Sequence, residues 1–337
     1  MYNVVLIGCG HMGDVHLTDI HNMENVCIYG VVDCDESRAK NMAFKYGAKS
    51  YSTSYNEYMK DENTDIIICA TYPSSHLEIL NECVKYGKHL LCEKPITANM
   101  QEAKEFVETV KNSSIKVQIG YILRFNETYK KVAQMIQSGA IGSPVLFRMT
   151  QNHHIMDERK YFALLNDASP IVDCGVHYVD VCRWFTGSEI TSVDGIAANV
   201  GKGAPEGSYN YGLITMGMSD GSIAYYEAGW SDTLSSDNVK EFAGPKGRIK
   251  IIERNNRQNN QEEGDLIEYY KFPKKEYKII NVDCVRRPTG AQLSHLIKMI
   301  EEDVPSEPTI DDVYKSFSTV MKADKILKEK LNKKETN

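Results

Sequence analysis

The stretch Val4-Val5-Leu6-Ile7-Gly8-Cys9-Gly10-His11-Met12-Gly13 decides the fold. Its first four residues are apolar and mostly β-branched, the composition of a buried strand. Three glycines in G-x-G-x-x-G spacing follow at once, and a helical segment begins behind them. After a strand and before a helix, that spacing reads as the turn of a dinucleotide-binding unit. Gly8 permits a tight turn, Gly10 lets backbone approach a pyrophosphate, and Gly13 lets helix and strand pack closely. The helix start, with His11 and Met12 in its first turn, offers N–H groups and a partial positive charge to an anion. The same glycines would also make a plain turn with no ligand.

Asp33 argues against the plain turn. It ends a second apolar run, 26–33, about twenty residues on, where a carboxylate reads the adenosine ribose hydroxyls. A carboxylate there repels a 2′-phosphate, so the expectation is NAD rather than NADP. Arg38 could hold such a phosphate, but it reads more simply as a solvated helix residue.

Outward from this unit, short apolar runs alternate with helical patterns. Strands are expected at 4–8, 26–33, 65–70, 89–92 and 116–121. Between the last two, 101–111 carries Ala103, Phe106, Val107 and Val110 at helical spacing. Nearly continuous apolar strands between helices predict a doubly wound parallel sheet. After about residue 122 the pattern changes. Helices are expected at 126–138 and 172–185, then strands at 145–151, 211–218, 222–229, 239–243, 248–253, 266–272 and 277–282. Ser219-Asp220-Gly221 and Gly244-Pro245-Lys246-Gly247 mark turns between neighbouring strands. The chain closes with helices at 291–302 and 310–331, the second capped by Thr309 with Asp312, and a frayed tail at 333–337. The expectation is two domains: 1–122, a dinucleotide-binding α/β domain, and 123–337, an α+β domain with a mainly antiparallel sheet.

The composition excludes several classes. The 337 residues are 42% hydrophobic and 25% charged, with a net charge of -7. That balance suits a globular chain and argues against a nucleic-acid surface. No apolar run approaches the ~18 residues of a membrane span, and the first strand lacks the basic lead of a signal peptide. The nine cysteines include no C-x-x-C pair. They read as reduced thiols of a cytoplasmic protein.

Two further segments carry chemistry. Glu93-Lys94-Pro95 follows the strand at 89–92, and Pro95 keeps Lys94 out of helical geometry. Asp173, His177 and Asp180 lie four and three residues apart, on one face of an otherwise apolar helix. Buried ionisable groups are costly unless paired or used. Oxidation of a secondary alcohol needs a base for the hydroxyl proton, and histidine titrates in the right range. Asp173 can orient the imidazole or bind hydroxyls, and Lys94 can stabilise charge on the reacting oxygen. Thr71, Pro73 and His76 follow a strand end, where loops line the ligand crevice. His76 suits either a ribose contact or a helix cap. Arg124 can reach sugar hydroxyls, and Trp230 can stack on a sugar ring or fill the sheet core. His153-His154 lacks a convincing third ligand, so no metal is expected.

GCGHMG, Asp33, TYPSSH, Glu93-Lys94-Pro95, GYILRF and DCGVHYVD together resemble the Gfo/Idh/MocA oxidoreductase family over essentially the whole chain. The resemblance implies an N-terminal Rossmann domain and a C-terminal domain whose open sheet mediates homodimers or homotetramers. By position, Lys94, Asp173 and His177 resemble the catalytic residues of inositol-dehydrogenase-like members. Glu93 and Lys94 join the cofactor-binding set, and Arg124 resembles a substrate-binding arginine. The segment 157–170 is expected to line the pocket. The activity implied is NAD-dependent oxidation of a cyclic polyol or sugar derivative. A redox-neutral NAD-dependent glycosidase or lyase and a non-catalytic NAD-binding regulator are the competing classes.

Overall fold

A computed structural model describes residues 1–153, 158–201, 203–236, 238–254 and 264–335. The chain forms two compact units, Met1–Phe125 with Arg287–Tyr314, and Asn126–Arg286 with Lys315–Asn337.

The first unit runs β1 (Tyr2–Ile7), α1 (His11–Ile20), β2 (Val26–Val32), α2 (Glu36–Tyr46), β3 (Ser50–Ser52), α3 (Asn56–Lys60) and β4 (Ile66–Cys69). It continues with α4 (His76–Tyr86), β5 (His89–Cys92), α5 (Met100–Asn112) and β6 (Val117–Ile119). The strands form one parallel sheet in the order β3-β2-β1-β4-β5-β6. The order reverses beside β1, so the carboxyl ends of β1 and β4 flank the switch point where such sheets bind ligands. β4 is Ile-Ile-Ile-Cys and fully buried, as a strand covered on both faces must be. β3 was not expected: it is a short polar edge strand, Ser-Tyr-Ser, without an apolar signature.

One expectation of the domain reading is corrected. The helix near residue 290, assigned by sequence to the second domain, is α9 of the structure, numbered in chain order after α6–α8 of the second unit. It spans Thr289–Glu302 within the first unit. Its Leu293, Leu296, Ile297 and Met299 pack in one core with Leu17, Ile20 and Ile28. Periodicity shows that a helix has an apolar face, not which core covers it.

The second unit contains α6 (Glu127–Gln137), β7 (Leu146–His153), α7 (Glu158–Asp167), α8 (Pro170–Thr186), β8 (Ile190–Ala198), β9 (Tyr211–Met218) and β10 (Ile223–Trp230). Then come β11 (Lys240–Gly244), β12 (Gly247–Ile252), β13 (Asp265–Lys271), β14 (Glu276–Val282) and α10 (Ile310–Glu335), whose start lies in the first unit. Eight strands form one sheet, β14-β13-β12-β11-β7-β10-β9-β8, antiparallel except where β7 meets β10. The strands alternate: Phe147, Met149, Ala224, Tyr226, Phe242, Ile249 and Ile267 are buried on one face, and α8 packs against β10, β9 and β7. The register aligns Tyr277, Tyr270, Arg248, Ala243, Leu146 and Ile223 across the other face. There Ile223, Tyr277 and Ile279 are exposed.

Thr309 Oγ1 accepts from the Asp312 amide at 3.2 Å, the expected cap. The helix behind it continues to Glu335 rather than ending at 331. Among the described residues no helix is long and apolar enough to cross a membrane.

Candidate active site

The dinucleotide turn is built by contacts that exclude side chains. Gly8 has φ +101°, and a Cβ there would lie 2.5 Å from the Ala70 carbonyl oxygen. A Cβ on Gly13 would lie 2.1 Å from the Gly8 carbonyl oxygen, so α1 can approach the turn only as glycine. Gly10 is different: a Cβ there would meet no protein atom within 4 Å. No side chain caps α1, whose N-cap is Gly10 itself. An uncapped helix start with open space over its N-cap backbone fits a dinucleotide pyrophosphate. His11 lies in this first turn, and Arg287, from the far end of the chain, reaches its Nε2. That guanidinium stands where an anion is favoured, and no motif in the sequence pointed to it.

Asp33 closes the turn from β2. Its Oδ2 accepts from the Cys9 amide at 2.8 Å, and its Oδ1 from the Asp35 amide at 2.9 Å. Burial, and then the Asp33 charge, push the Cys9 thiol up to about 12. Each carboxylate oxygen can accept a further bond, so ribose hydroxyls remain within its capacity. Arg38 pairs with Asp35 at 3.5 Å on the exposed start of α2, in keeping with the simple reading of Arg38.

At the ends of β4 and β5, Thr71 Oγ1 and Ser75 Oγ share a hydrogen bond of 2.7 Å, and Pro73 opens a short 3₁₀ turn. His76 is fully buried. Its Nδ1 lies 3.0 Å from the Pro95 carbonyl oxygen and its Nε2 3.3 Å from that of Thr71. The polar atoms of Cys69, His76 and Cys92 lie within 4.8 Å of one another. No spacing along the chain signals this cluster, because parallel register sets Cys69 beside Cys92. Nδ1 donates its proton to the Pro95 carbonyl oxygen, while Nε2 faces the Thr71 carbonyl oxygen and the Cys69 sulfur. Burial alone would lower the His76 pKa, but the Cys69 sulfur overrides it and the pKa rises. Burial would likewise raise Cys69, yet Cys92 and His76 hold it well below the usual thiol range.

Glu93, Lys94 and Pro95 follow β5 directly, with a cis bond between Lys94 and Pro95. Glu93 is buried and Lys94 half-buried. Glu93 Oε1 lies 2.8 Å from Nε2 of His16, a fully buried residue of α1. Arg124 lies in the 3₁₀ turn Ile122–Phe125 after β6 and is also half-buried.

In the second unit, Ser169 caps α8 through the Val172 amide at 3.3 Å, and Pro170 occupies its first turn. Only Asp173, Trp184 and Thr186 of this helix escape full burial. His177, one turn beyond Asp173 on the same face, is 8% exposed, and Asp180 is 1% exposed. The Cys174 thiol donates to Asp173 Oδ2 at 3.3 Å and lies 3.9 Å from His153 Nε2 at the end of β7. Trp230 is 1% exposed and packs against Tyr161 and Leu165 of α7. His154, Met156 and Asp157 lie outside the described residues.

A doubly wound sheet with an uncapped helix start at its switch point defines a dinucleotide-binding α/β protein. Comparison with known proteins gives the family. Residues 2–121 match the Gfo/Idh/MocA model described as "Oxidoreductase family, NAD-binding Rossmann fold", and residues 129–250 match the Gfo/Idh/MocA C-terminal domain. The chain belongs to the Gfo/Idh/MocA family of NAD-binding oxidoreductases. It is similar to myo-inositol 2-dehydrogenase of Thermotoga maritima, 24% identical over 249 residues, which are 72% of this chain and 73% of that one. It is also similar to scyllo-inositol 2-dehydrogenase (NAD(+)) of Bacillus subtilis, 26% identical over 252 residues, 73% of this chain and 72% of that one. Scyllo-inositol dehydrogenase from Lactobacillus casei, solved with NAD(H) and scyllo-inositol, shares the fold with TM-score 0.77 at 19% identity, covering 98% of both chains.

Proposed function

We propose that this oxidoreductase acts on a secondary hydroxyl, or the corresponding ketone, of an inositol-like cyclic polyol or related sugar. The observation that carries the reading is α8, an apolar buried helix that keeps Asp173 part-exposed and His177 next to it on one face. The names of the inositol-dehydrogenase relatives support the substrate class. NAD, when bound, supplies the hydride acceptor. His177 takes the hydroxyl proton as general base. Asp173 orients the imidazole and stabilises its charged form, with Asp180 behind it. Lys94 donates to the reacting oxygen and stabilises its developing charge. Arg124 binds substrate hydroxyls. Gly8, Gly10, Gly13 and the first turn of α1 at His11 and Met12 hold the pyrophosphate. Asp33 binds the ribose and selects NAD over NADP, and Thr71, Pro73, His76 and Glu93 shape the nicotinamide end.

The protein works in the cytoplasm as a homodimer or homotetramer. The open sheet face carrying Ile223, Tyr277 and Ile279 is the surface that joins subunits.

The test is to incubate the protein with NAD and a panel of inositols, aldoses and uronates, following NADH. Formation of NADH with a stereochemical subset supports the reading. Product release without NADH points instead to the redox-neutral class. Lys94→Ala and His177→Ala are each expected to lower turnover by ~10²–10⁴-fold while NAD still binds. Wild-type turnover in His177→Ala removes the base role.

A further inference from the structure

We propose that His16 and His76 are positioning residues that clamp Lys94 from both sides and lock it to the two cofactor loops. The proposal rests on the role given above to Lys94.

Lys94 has one neighbour held by each histidine. On its N-terminal side, Glu93 Oε1 accepts from His16 Nε2 at 2.8 Å. His16 is 0% and Glu93 5% exposed. The other carboxylate oxygen, Oε2, accepts from the Lys94 amide at 3.3 Å. Gly120 closes the far side, where a Cβ would come within 2.9 Å of Oε2. The Glu93 carboxylate therefore spans from the His16 ring to the Lys94 backbone with no room to swing. Nδ1 of His16 is buried without a hydrogen-bond partner among the described residues. The ring thus has one polar engagement, toward Glu93, and that contact fixes its tautomer and rotation.

On the C-terminal side, His76 Nδ1 donates to the Pro95 carbonyl oxygen at 3.0 Å. Its Nε2 faces the Thr71 carbonyl oxygen, so the same ring also holds the loop after β4.

The two histidines come from two helices. His16 stands in α1, behind the glycine turn, and His76 opens α4, behind Thr71 and Pro73. Each lies behind a loop at the cofactor end of the sheet. The clamp ties the Lys94 backbone, through Glu93 and Pro95, to the helices behind both loops, so the cofactor and the amine are held by linked elements. Side chains that act in catalysis need such support from locked neighbours.

The geometry dictates which substitutions preserve each half. Glutamine puts an amide nitrogen near an imidazole Nε2, and asparagine near Nδ1. His16→Gln therefore keeps the Glu93 contact and His76→Asn keeps the Pro95 contact though not the one to Thr71, while His16→Asn and His76→Leu break the contacts to Glu93 and Pro95. The first measurement is amide hydrogen exchange over residues 93–97 of the cofactor-free protein, which needs no substrate. Faster exchange there in His16→Asn and His76→Leu, with β1 and β4 still protected and the two mimics unchanged, is the expected result. Unchanged exchange, or a rise spread evenly over the first unit, overturns the clamp.

The second measurement is turnover with NAD and myo-inositol or scyllo-inositol. A breaking variant lowers kcat by ~10–10²-fold, the cost of about 1 Å of misplacement, and His16→Asn, whose ring lies outside the cofactor-binding set, changes NAD affinity less than about threefold. In a Lys94→Ala background, the same variant has no further effect. An equal loss in both backgrounds means that the histidines act elsewhere. A Lys94→Ala protein with wild-type turnover refutes the role of Lys94 itself, a failure the exchange data separate from that of the clamp.

Discussion

Replacing Gly10 by alanine separates cofactor binding from folding. Gly10 has φ -80° and ψ -166°, which any L residue adopts, and an added Cβ meets no protein atom within 4 Å. The substitution introduces no clash, and the ~0.4–1 kcal/mol gained by restricting the unfolded chain offsets the poorer standing of alanine at an N-cap. The methyl group does occupy the space into which a pyrophosphate must come. Pushing the phosphate back sacrifices one charge-assisted hydrogen bond, about 1.5–3 kcal/mol, which weakens NAD roughly 12- to 150-fold. At an NAD concentration about a hundred times the wild-type Kd, bound NAD stabilises the wild type by ~2.7 kcal/mol. A thirtyfold weaker variant retains only ~0.9 kcal/mol of that. Thermal unfolding with and without NAD reads both quantities: the cofactor-free Tm stays close to that of the wild type, and the NAD-induced shift shrinks. Gly13→Ala is the contrasting control, because its Cβ would lie 2.1 Å from the Gly8 oxygen and must lower the cofactor-free Tm. Wild-type NAD affinity in Gly10→Ala refutes the placement of the pyrophosphate over this turn.

Three further outcomes follow from the same contacts. Asp33→Ala is expected to weaken NAD more than NADP and to cost ~1–3 kcal/mol by leaving the Cys9 amide without its acceptor; equal losses of both cofactors by calorimetry would show that Asp33 does not read the ribose. Trp230→Ala should destabilise by ~3–5 kcal/mol in chemical denaturation, since the ring fills the core with Tyr161 and Leu165; a stable variant with altered KM alone would return Trp230 to the substrate site. Glu189 is held at about 2 by Arg183 and then Lys315, so its contribution is present above the ordinary value of 4.5 and disappears as pH falls toward 2. Solvent screens this half-exposed carboxylate to about 1 kcal/mol, and Glu189→Gln should lag the wild type by that amount at neutral pH and converge with it in acid; a constant gap would assign the loss to packing.

The parallel half of the fold was legible because β1, β2, β4 and β5 are buried on both faces and so nearly unbroken in apolar residues. β3 and β8 lacked that mark. The first is three residues of polar edge. The second interrupts its alternation with Asp194 and Gly195, where a Cβ on Gly195 would strike the Leu213 carbonyl oxygen and the Leu327 side chain. The glycine turn and Asp33 were readable because their spacing is fixed by backbone geometry along one βα unit. His16, Arg287 and the Cys69–His76–Cys92 cluster were not, because each owes its position to packing between elements distant in sequence. A histidine three residues past Gly13 looks like any polar helix position until β5 delivers Glu93 to it.

The burial of Trp230 bears on where substrate choice is made. Trp230 packs with Tyr161 and Leu165 of α7, so on the proposed reading the indole supports the site rather than stacking on a sugar. The Cys174 thiol lies 3.3 Å from Asp173 and 3.9 Å from Nε2 of His153, which Gln151 Nε2 approaches at 3.1 Å. A site walled by hydrogen-bonding groups rejects an analogue lacking a hydroxyl far more strongly than an apolar pocket rejects a missing methylene, because its own polar atoms are left unpaired. On the proposed reading, discrimination among cyclic polyols belongs to the end of β7 and the first turn of α8. On the same reading, the chemistry common to the substrates belongs to Lys94 and His177. That division lets one scaffold keep its reaction while its substrate changes.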